Sequence, residues 1–231
     1  MKRVNIAIDG PSGAGKSTVA NEIAKRLKYT FINSGSIYRA ITFNVIKSDI
    51  ASNDKVGIIN SLSDLNIELK ENDEIFLNDE NISKDIRREY ISQTVPNIAK
   101  ISEVREYVVD FIHHMTKRRK GFIIDGRDTT FKLMPHAEVK IFLWADPEER
   151  ANRRYKQNLQ MGYETNYDEV LYDVKKRDAQ DMNREVDPLH KTEDSILIDC
   201  THMTQEEVIQ EIIDLVNKTI KDKELEKEKN E

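Results

Sequence analysis

Short apolar runs alternating with helical stretches place this chain in the α/β class, with a parallel sheet between two layers of helices. Three observations carry that expectation. Val4 to Asp9 is an apolar run ending in an acid, followed by a glycine-rich turn and the helical pattern Thr18 to Leu27, the opening of a βαβ unit. Phe122, Ile123 and Ile124 contain no polar residue before Asp125, as a strand buried on both faces requires. Val139 to Trp144 repeats the strand signal and leads into Asp146, Pro147, Glu148 and Glu149, which read as an N-cap, a first-turn proline and a capping-box acid.

The remaining elements follow in order. Thr30 to Ile32 is a short strand entering a helix near Ile37 to Lys47. Between Leu62 and Ser83, residues 66–70 and 74–77 alternate with period two around the polar turn Glu71, Asn72 and Asp73, which predicts a small antiparallel insertion. Helical periodicity runs from Ser83 to Arg119, with a break expected at Pro96. Another helix is expected from Tyr167 to Arg184, a last buried strand from Ser195 to Asp199, and a final helix opened by the capping box Thr204 to Glu207. Beyond Lys218 nearly every residue is charged, which reads as a solvated, frayed tail.

At 231 residues and 38% hydrophobic content, the chain suffices for one α/β core with appendages. The 42 acidic against 36 basic side chains give a net charge of -6, which argues against duplex nucleic acid as a partner. The single cysteine, Cys200, cannot form an intramolecular disulfide and reads as a packed thiol. No signal-peptide pattern or span of ~18 apolar residues occurs, so a cytoplasmic protein without membrane attachment is expected. His113 and His114 are adjacent and cannot share a helix face, which argues against a zinc site.

Gly10, Pro11, Ser12, Gly13, Ala14, Gly15, Lys16, Ser17 and Thr18 fit the pattern G-x-x-x-x-G-K-[ST] between a strand and a helix. The glycines let successive backbone N–H groups converge on phosphates, and the helix N-terminus adds its dipole. Lys16 is placed to reach the β- and γ-phosphates and Ser17 to ligate Mg²⁺, so ATP with magnesium is the expected pair. No Asn-Lys-x-Asp guanine motif is present.

Arginines recur in segments expected to border the ligand edge of the sheet: Arg39, Arg87, Arg88, Arg105, Arg127, Arg150, Arg153, Arg154, Arg177 and Arg184. Planar guanidinium groups suit the dispersed charge of phosphoryl transfer. Arg150, Arg153 and Arg154 share one helix face, as do Arg177, Asp181 and Arg184. A closing lid and a solvated face with intrahelical ion pairs both produce such spacing. Asp125, Gly126, Arg127 and Asp128 emerge at the sheet's ligand edge, where an acid can hold magnesium-bound water.

The stretches Ile8 to Thr18, Asn33 to Arg39, Asp125 to Asp128 and Lys176 to Arg184, with Pro188 and Leu189, together resemble bacterial cytidylate kinase from Val4 to about Val216. The resemblance implies a P-loop kinase core at 1–33, 107–149 and 188–217, a monophosphate-binding insertion at 34–106, a lid with its flanking helices at 150–187 and a charged tail at 218–231. It implies transfer from MgATP to CMP or dCMP. Ser34, Arg39 and Arg127 would hold the acceptor's phosphate, Arg105 and Asp128 its base, and Asp181 its sugar, while Arg177 and Arg184 close on the transferring group. Lys16, Asp125, Arg127, Arg177 and Arg184 are then the candidate catalytic groups, and Arg153 a further contact to the donor. Three departures from the family pattern stand out: Asn33 where an acid is usual, Pro96 where a serine is expected, and the run Thr129, Thr130 and Phe131 in place of an aliphatic residue, Gly and Thr. Rival readings are a kinase of UMP, AMP, shikimate or dephospho-CoA, and a nucleotide-binding switch; the hairpin and Asp125 to Asp128 favour the cytidylate type. No exposed apolar stripe demands a partner, and a monomer is expected.

Overall fold

The first strand, β1 (Ile6–Asp9), is buried at every position, which its sequence IAID permits because the only charged side chain stands at the carboxyl end. The structure, a computed structural model, describes residues 3–70, 74–185 and 187–229. The turn read at Glu71, Asn72 and Asp73 lies outside the described residues, as do Met1, Lys2, Val186, Asn230 and Glu231.

In chain order β1 is followed by α1 (Lys16–Leu27), β2 (Thr30–Ile32), α2 (Ser34–Lys47) and α3 (Lys55–Ser61). Next come β3 (Ile67–Leu69), β4 (Ile75–Leu77), β5 (Glu80–Asn81), α4 (Glu89–Ala99) and α5 (Ser102–Arg118). The chain continues with β6 (Phe122–Gly126), a π-helical turn (Thr129–Leu133), β7 (Val139–Trp144), α6 (Pro147–Gln160), α7 (Tyr167–Met182), β8 (Ile196–Asp199) and α8 (Gln205–Glu228). These elements form two compact units, one of Met1–Tyr29 with Lys120–Glu231 and one of Thr30–Arg119.

Within the first unit the strands run β6-β1-β7-β8, all parallel. The register pairs Asp9 with Gly126 on one side and Phe142 on the other, so the ends of β1 and β6 lie level and deliver Asp9 and Asp125 to the same edge. Helix α1 packs Val19, Ala20, Ile23 and Ala24 inward, the stripe that a 3.6-residue period requires. Ile6, Ile8, Ile123, Ile124, Ile141 and Leu143 form the core between the layers.

The second unit is helical, with a small antiparallel sheet in the order β3-β4-β5. Ile67 faces Leu77 and Leu69 faces Ile75, the expected hairpin, and the chain adds β5 as a third strand. Asn33 caps α2, its side chain accepting the Ser36 N–H at 3.3 Å. Asn33, which stands where an acid is usual in the family pattern, thus caps this helix.

Several expectations are corrected. Pro96 does not break its helix: α4 runs through it to Ala99 and the break falls at Lys100 and Ile101, because burial of Ile91 and Ile98 holds the helix across one missing N–H bond. At α6 the capping box is not formed. Asp146 makes no side-chain cap bond, its N–H donates to Thr201 Oγ1 at 3.0 Å, and Glu149 instead accepts from Arg153 Nε at 3.0 Å. The box at α8 is formed, with Thr204 N–H donating to Glu207 at 2.7 Å and Glu207 N–H to Thr204 Oγ1 at 3.3 Å. Strand β8 is not wholly buried: Ile196 and Leu197 are 45% and 52% exposed, since β8 stands at the end of the β6-β1-β7-β8 order and only Ile198 points into the core. The tail expected to fray continues α8 as far as Glu228, because Lys, Glu and Leu are strong helix formers.

Candidate functional site

The phosphate loop occupies the turn between β1 and α1. Gly10 has φ +152°, and a Cβ there would lie 2.1 Å from the Leu143 carbonyl oxygen, so only glycine lets the chain leave β1 this close to β7. Gly15, in the left-handed region at φ 93°, starts α1 with no side-chain cap and no acid in the first turn. By contrast α2, α3 and α7 each carry a side-chain cap, from Asn33, Asp54 and Asn166. The first-turn N–H groups of α1 are therefore left for an external acceptor, which a phosphate supplies.

Lys16 is 5% exposed and donates across the loop to the Pro11 carbonyl at 2.7 Å. Burial, reinforced by the positive charge of Arg127, lowers its pKa to about 7, against opposing pulls from Asp125, Asp9 and Asp181. Burial disfavours the charged amine, so an anion placed beside it would favour protonation. Ser17 Oγ donates to Asp125 Oδ2 at 2.6 Å, which joins the hydroxyl and carboxylate expected to face magnesium. No group of three or more His, Cys, Asp or Glu suited to a metal occurs among the described residues. One hydroxyl and one carboxylate fit Mg²⁺, which keeps several waters and takes its other ligands from phosphates, and they fit no all-protein metal cage.

Farther along this edge, Arg127 Nε donates to Asp181 Oδ2 at 2.7 Å, and Arg177 Nε lies 3.7 Å from Asp181 Oδ1. Arg177 and Asp181 share a face of α7, with the Arg177 side chain 60% exposed. Arg184 does not share that helix, since α7 ends at Met182; its Nε donates to the Asp187 carbonyl at 2.5 Å. Its buried Nη2 sits 3.3 Å from Asp128 Oδ2 without the alignment of a hydrogen bond, leaving a guanidinium nitrogen unsatisfied at this edge. Of the three arginines read as one face of α6, Arg150 is fully buried, Arg154 is exposed, and Arg153 donates to the Cys200 carbonyl at 2.8 Å. Arg150, Arg153 and Arg154 border a cavity with Ser12, Gly13, Asn158 and Met161 beside the loop. Cys200 is buried, and its thiol donates to the Ala14 carbonyl at 3.5 Å.

Ser34, Arg39 and Arg105 belong to the second unit. Ser34 opens α2, Arg39 is half-buried and donates to the Ile86 carbonyl at 3.1 Å, and Arg105 is half-buried on α5. Arg87 and Arg88 are exposed, the latter paired with Asp85 at 2.7 Å.

One residue at this edge had no assigned role. Asp9 is fully buried, and its carboxylate accepts four hydrogen bonds: Thr129 N–H and Oγ1 at 2.9 and 2.7 Å on one oxygen, Thr130 N–H and Oγ1 at 2.8 and 2.6 Å on the other. The threonines that depart from the family pattern are thus the partners of the acid ending β1, and they anchor the segment that carries Arg127 and Asp128. Phe131 packs on His190 with ring centroids 4.4 Å apart. An acid closing a strand otherwise buried throughout was the available signal, because such a group needs donors from the next strand's end.

A glycine loop after the first strand of a parallel sheet, a buried lysine within it and a hydroxyl-carboxylate pair beside it define the nucleotide-binding core of a P-loop phosphotransferase. The family model described as Cytidylate kinase matches residues 6–218. The chain is 64% identical over 214 residues to a cytidylate kinase of Mycoplasmopsis synoviae (strain 53), covering 93% of this chain and 98% of that one. It is 54% identical over 213 residues to a cytidylate kinase of Mycoplasmopsis agalactiae, covering 92% and 96%. Among solved structures, an uncharacterized protein from Eubacterium ventriosum superposes with a TM-score of 0.53 at 14% identity over 93% of this chain and 99% of that one, a likeness of fold alone. The chain belongs to the cytidylate kinase family.

Proposed function

We infer that this chain transfers the γ-phosphoryl group of MgATP to CMP and dCMP, releasing ADP with CDP or dCDP. The observation that carries the reading is the setting of Lys16, a buried amine of lowered pKa flanked by Asp125, Asp9, Arg127 and Asp181 at the end of a phosphate loop. The loop amides and Lys16 hold the donor's phosphates, with Arg153 on the donor side. Ser17 and Asp125 would hold Mg²⁺ directly or through water, and the ion would supply positive charge to offset that of the donor's phosphates. Arg177 and Arg184 face the transferring group, while Arg127 and Asp181, already paired at 2.7 Å, exchange part of that bond for the acceptor. Ser34, Arg39 and Arg105 supply the acceptor's other contacts, and Asp128 reads the base.

Transfer without a covalent intermediate needs alignment and exclusion of water more than a strong base, so residues 34–106 act as the acceptor-binding insertion and 150–187 as the lid. The net charge of -6 agrees with small nucleotides, rather than nucleic acid, as partners. We place the protein in the cytoplasm as a monomer; among the described residues no helix is long and apolar enough to cross a membrane. Lys16→Ala tests the donor half: turnover should fall by about 10²- to 10³-fold with the circular dichroism spectrum unchanged. Turnover within tenfold of the unmodified chain would remove Lys16 from the mechanism.

A further inference from the structure

Arg150 is the largest fully buried side chain among the described residues, and none of the phosphate-handling roles above requires it. Four of its five N–H bonds are taken: Nε donates to the Ala145 carbonyl at 2.7 Å, Nη1 to the Ser12 carbonyl at 3.0 Å and Asp178 Oδ1 at 2.9 Å, and Nη2 to Asp178 Oδ2 at 2.5 Å. One guanidinium therefore joins the end of β7, the middle of the phosphate loop and helix α7. The loop also rests on its stem, since a Cβ at Gly13 would stand 3.4 Å from Arg150 Cβ.

On α7, Asp178 follows Arg177 directly and precedes Asp181 by three residues, one helical turn. Asp181 in turn accepts from Arg127 at the end of β6. A continuous path of hydrogen bonds and one helical turn thus leads from the Ser12 carbonyl through Arg150 and Asp178 to Arg177, Asp181 and Arg127. Fold stability alone does not call for such a group, because a buried ion pair is often replaced by apolar side chains of similar volume without loss.

We propose that Arg150 is a positioning residue that couples the phosphate loop to helix α7, so that the donor's phosphates and the arginine and acid of α7 are held in one fixed alignment. The proposal rests on the reading that the loop binds ATP. The Arg150 guanidinium is fully buried and taken up by protein partners, while its side chain forms part of the wall of the cavity beside the loop. It acts through the loop backbone on one side and through Asp178 on the other. Breaking the link leaves each nucleotide's own contacts in place and spoils their mutual alignment, and alignment errors of about 1 Å cost on the order of 10²-fold in rate. The expected signature is a fall in kcat with little change in the affinity for either nucleotide.

Two variants test this. Asp178→Asn keeps the shape and one acceptor oxygen, while Arg150→Met with Asp178→Leu replaces the pair by apolar groups. Both are expected to lower kcat about 10- to 100-fold while the Kd for ATP, titrated without acceptor, changes less than about threefold. A purely structural role predicts that kcat follows thermal stability, so a variant melting near the unmodified protein with unchanged kcat would overturn the proposal. Hydrogen exchange supplies a second readout in the unmodified chain. A non-hydrolysable ATP analogue should slow exchange at the α7 amides around Val174 to Met182 as well as at the loop, and Asp178→Asn should abolish the slowing in α7 while retaining it in the loop. Equal α7 protection in both proteins would overturn the coupling. Absence of protection at the loop itself would instead refute ATP binding there.

Discussion

Replacing Asp9 by Asn removes one acceptor from a carboxylate that is fully buried and accepts four hydrogen bonds. The amide NH₂ then faces an N–H and an O–H from one of the two threonines. The hydroxyl can rotate to accept, but the backbone N–H cannot, and an unsatisfied buried donor costs about 1–3 kcal/mol. The two bonds on the remaining oxygen lose their charge assistance, which adds roughly 1 kcal/mol. The sum is about 2–4 kcal/mol, or a Tm lowered by roughly 4–16 °C for a chain of this size. Because Thr129 and Thr130 directly follow Arg127 and Asp128, the KM for CMP should also rise several-fold. Differential scanning calorimetry and acceptor saturation curves read both effects. Thr130→Val, which deletes a single donor, should cost only about 1 kcal/mol, and its effect should not add to that of Asp9→Asn. A Tm within about 2 °C of the parent, with unchanged KM for CMP, would refute the anchoring role of Asp9.

Two further outcomes follow from the geometry. The pKa of Lys16 is lowered to about 7, chiefly by burial, and a bound phosphate would favour its charged form. ATP binding at pH 8 should therefore take up close to one proton, seen by calorimetric titration in buffers of different ionisation enthalpy, and affinity should fall as pH rises from 7 to 9. For folding the sign is opposite: the unfolded chain binds more protons between about pH 7 and the ordinary lysine value, so this group's penalty is full below pH 7 and is relieved as pH rises through that window. Truncation after Asp222 removes the half-exposed Lys223 contact to Glu138 at 3.4 Å and should cost less than about 1 kcal/mol, with kcat unchanged and a loss of helical circular dichroism. A larger change in kcat would give the tail a role in turnover.

The phosphate half was legible in the sequence because its chemistry is local: nine consecutive residues specify the loop, and the apolar runs on either side specify the strand and helix that display it. Asp125 was legible for the same reason, standing at the end of a strand without polar residues. What was not legible depends on partners distant in the chain. Asp9 and Thr130 are separated by 121 residues, and Arg150 and Ser12 by 138, so no spacing rule links them. Spacing placed Arg150, Arg153 and Arg154 on one face of α6, yet it could not say that the first is buried against Asp178 and the last faces solvent. Arg184 shows the converse limit, because periodicity extended α7 by two residues beyond the point where the chain turns towards Asp187. At Pro96 the local propensity was read correctly but overridden by burial of Ile91 and Ile98. The tail erred the other way, since a run of charges is also a run of good helix formers continuing a capped helix.

The choice of acceptor is the decisive property of this enzyme. Coupled phosphoryl transfer from MgATP should be measured on CMP, dCMP, UMP, AMP and shikimate under one set of conditions, comparing kcat/KM. CMP and dCMP should lead the panel, with UMP, AMP and shikimate poorer by about tenfold or more. UMP or AMP turned over as well as CMP would contradict the cytidine assignment, and no transfer to any acceptor would contradict the phosphotransferase reading itself.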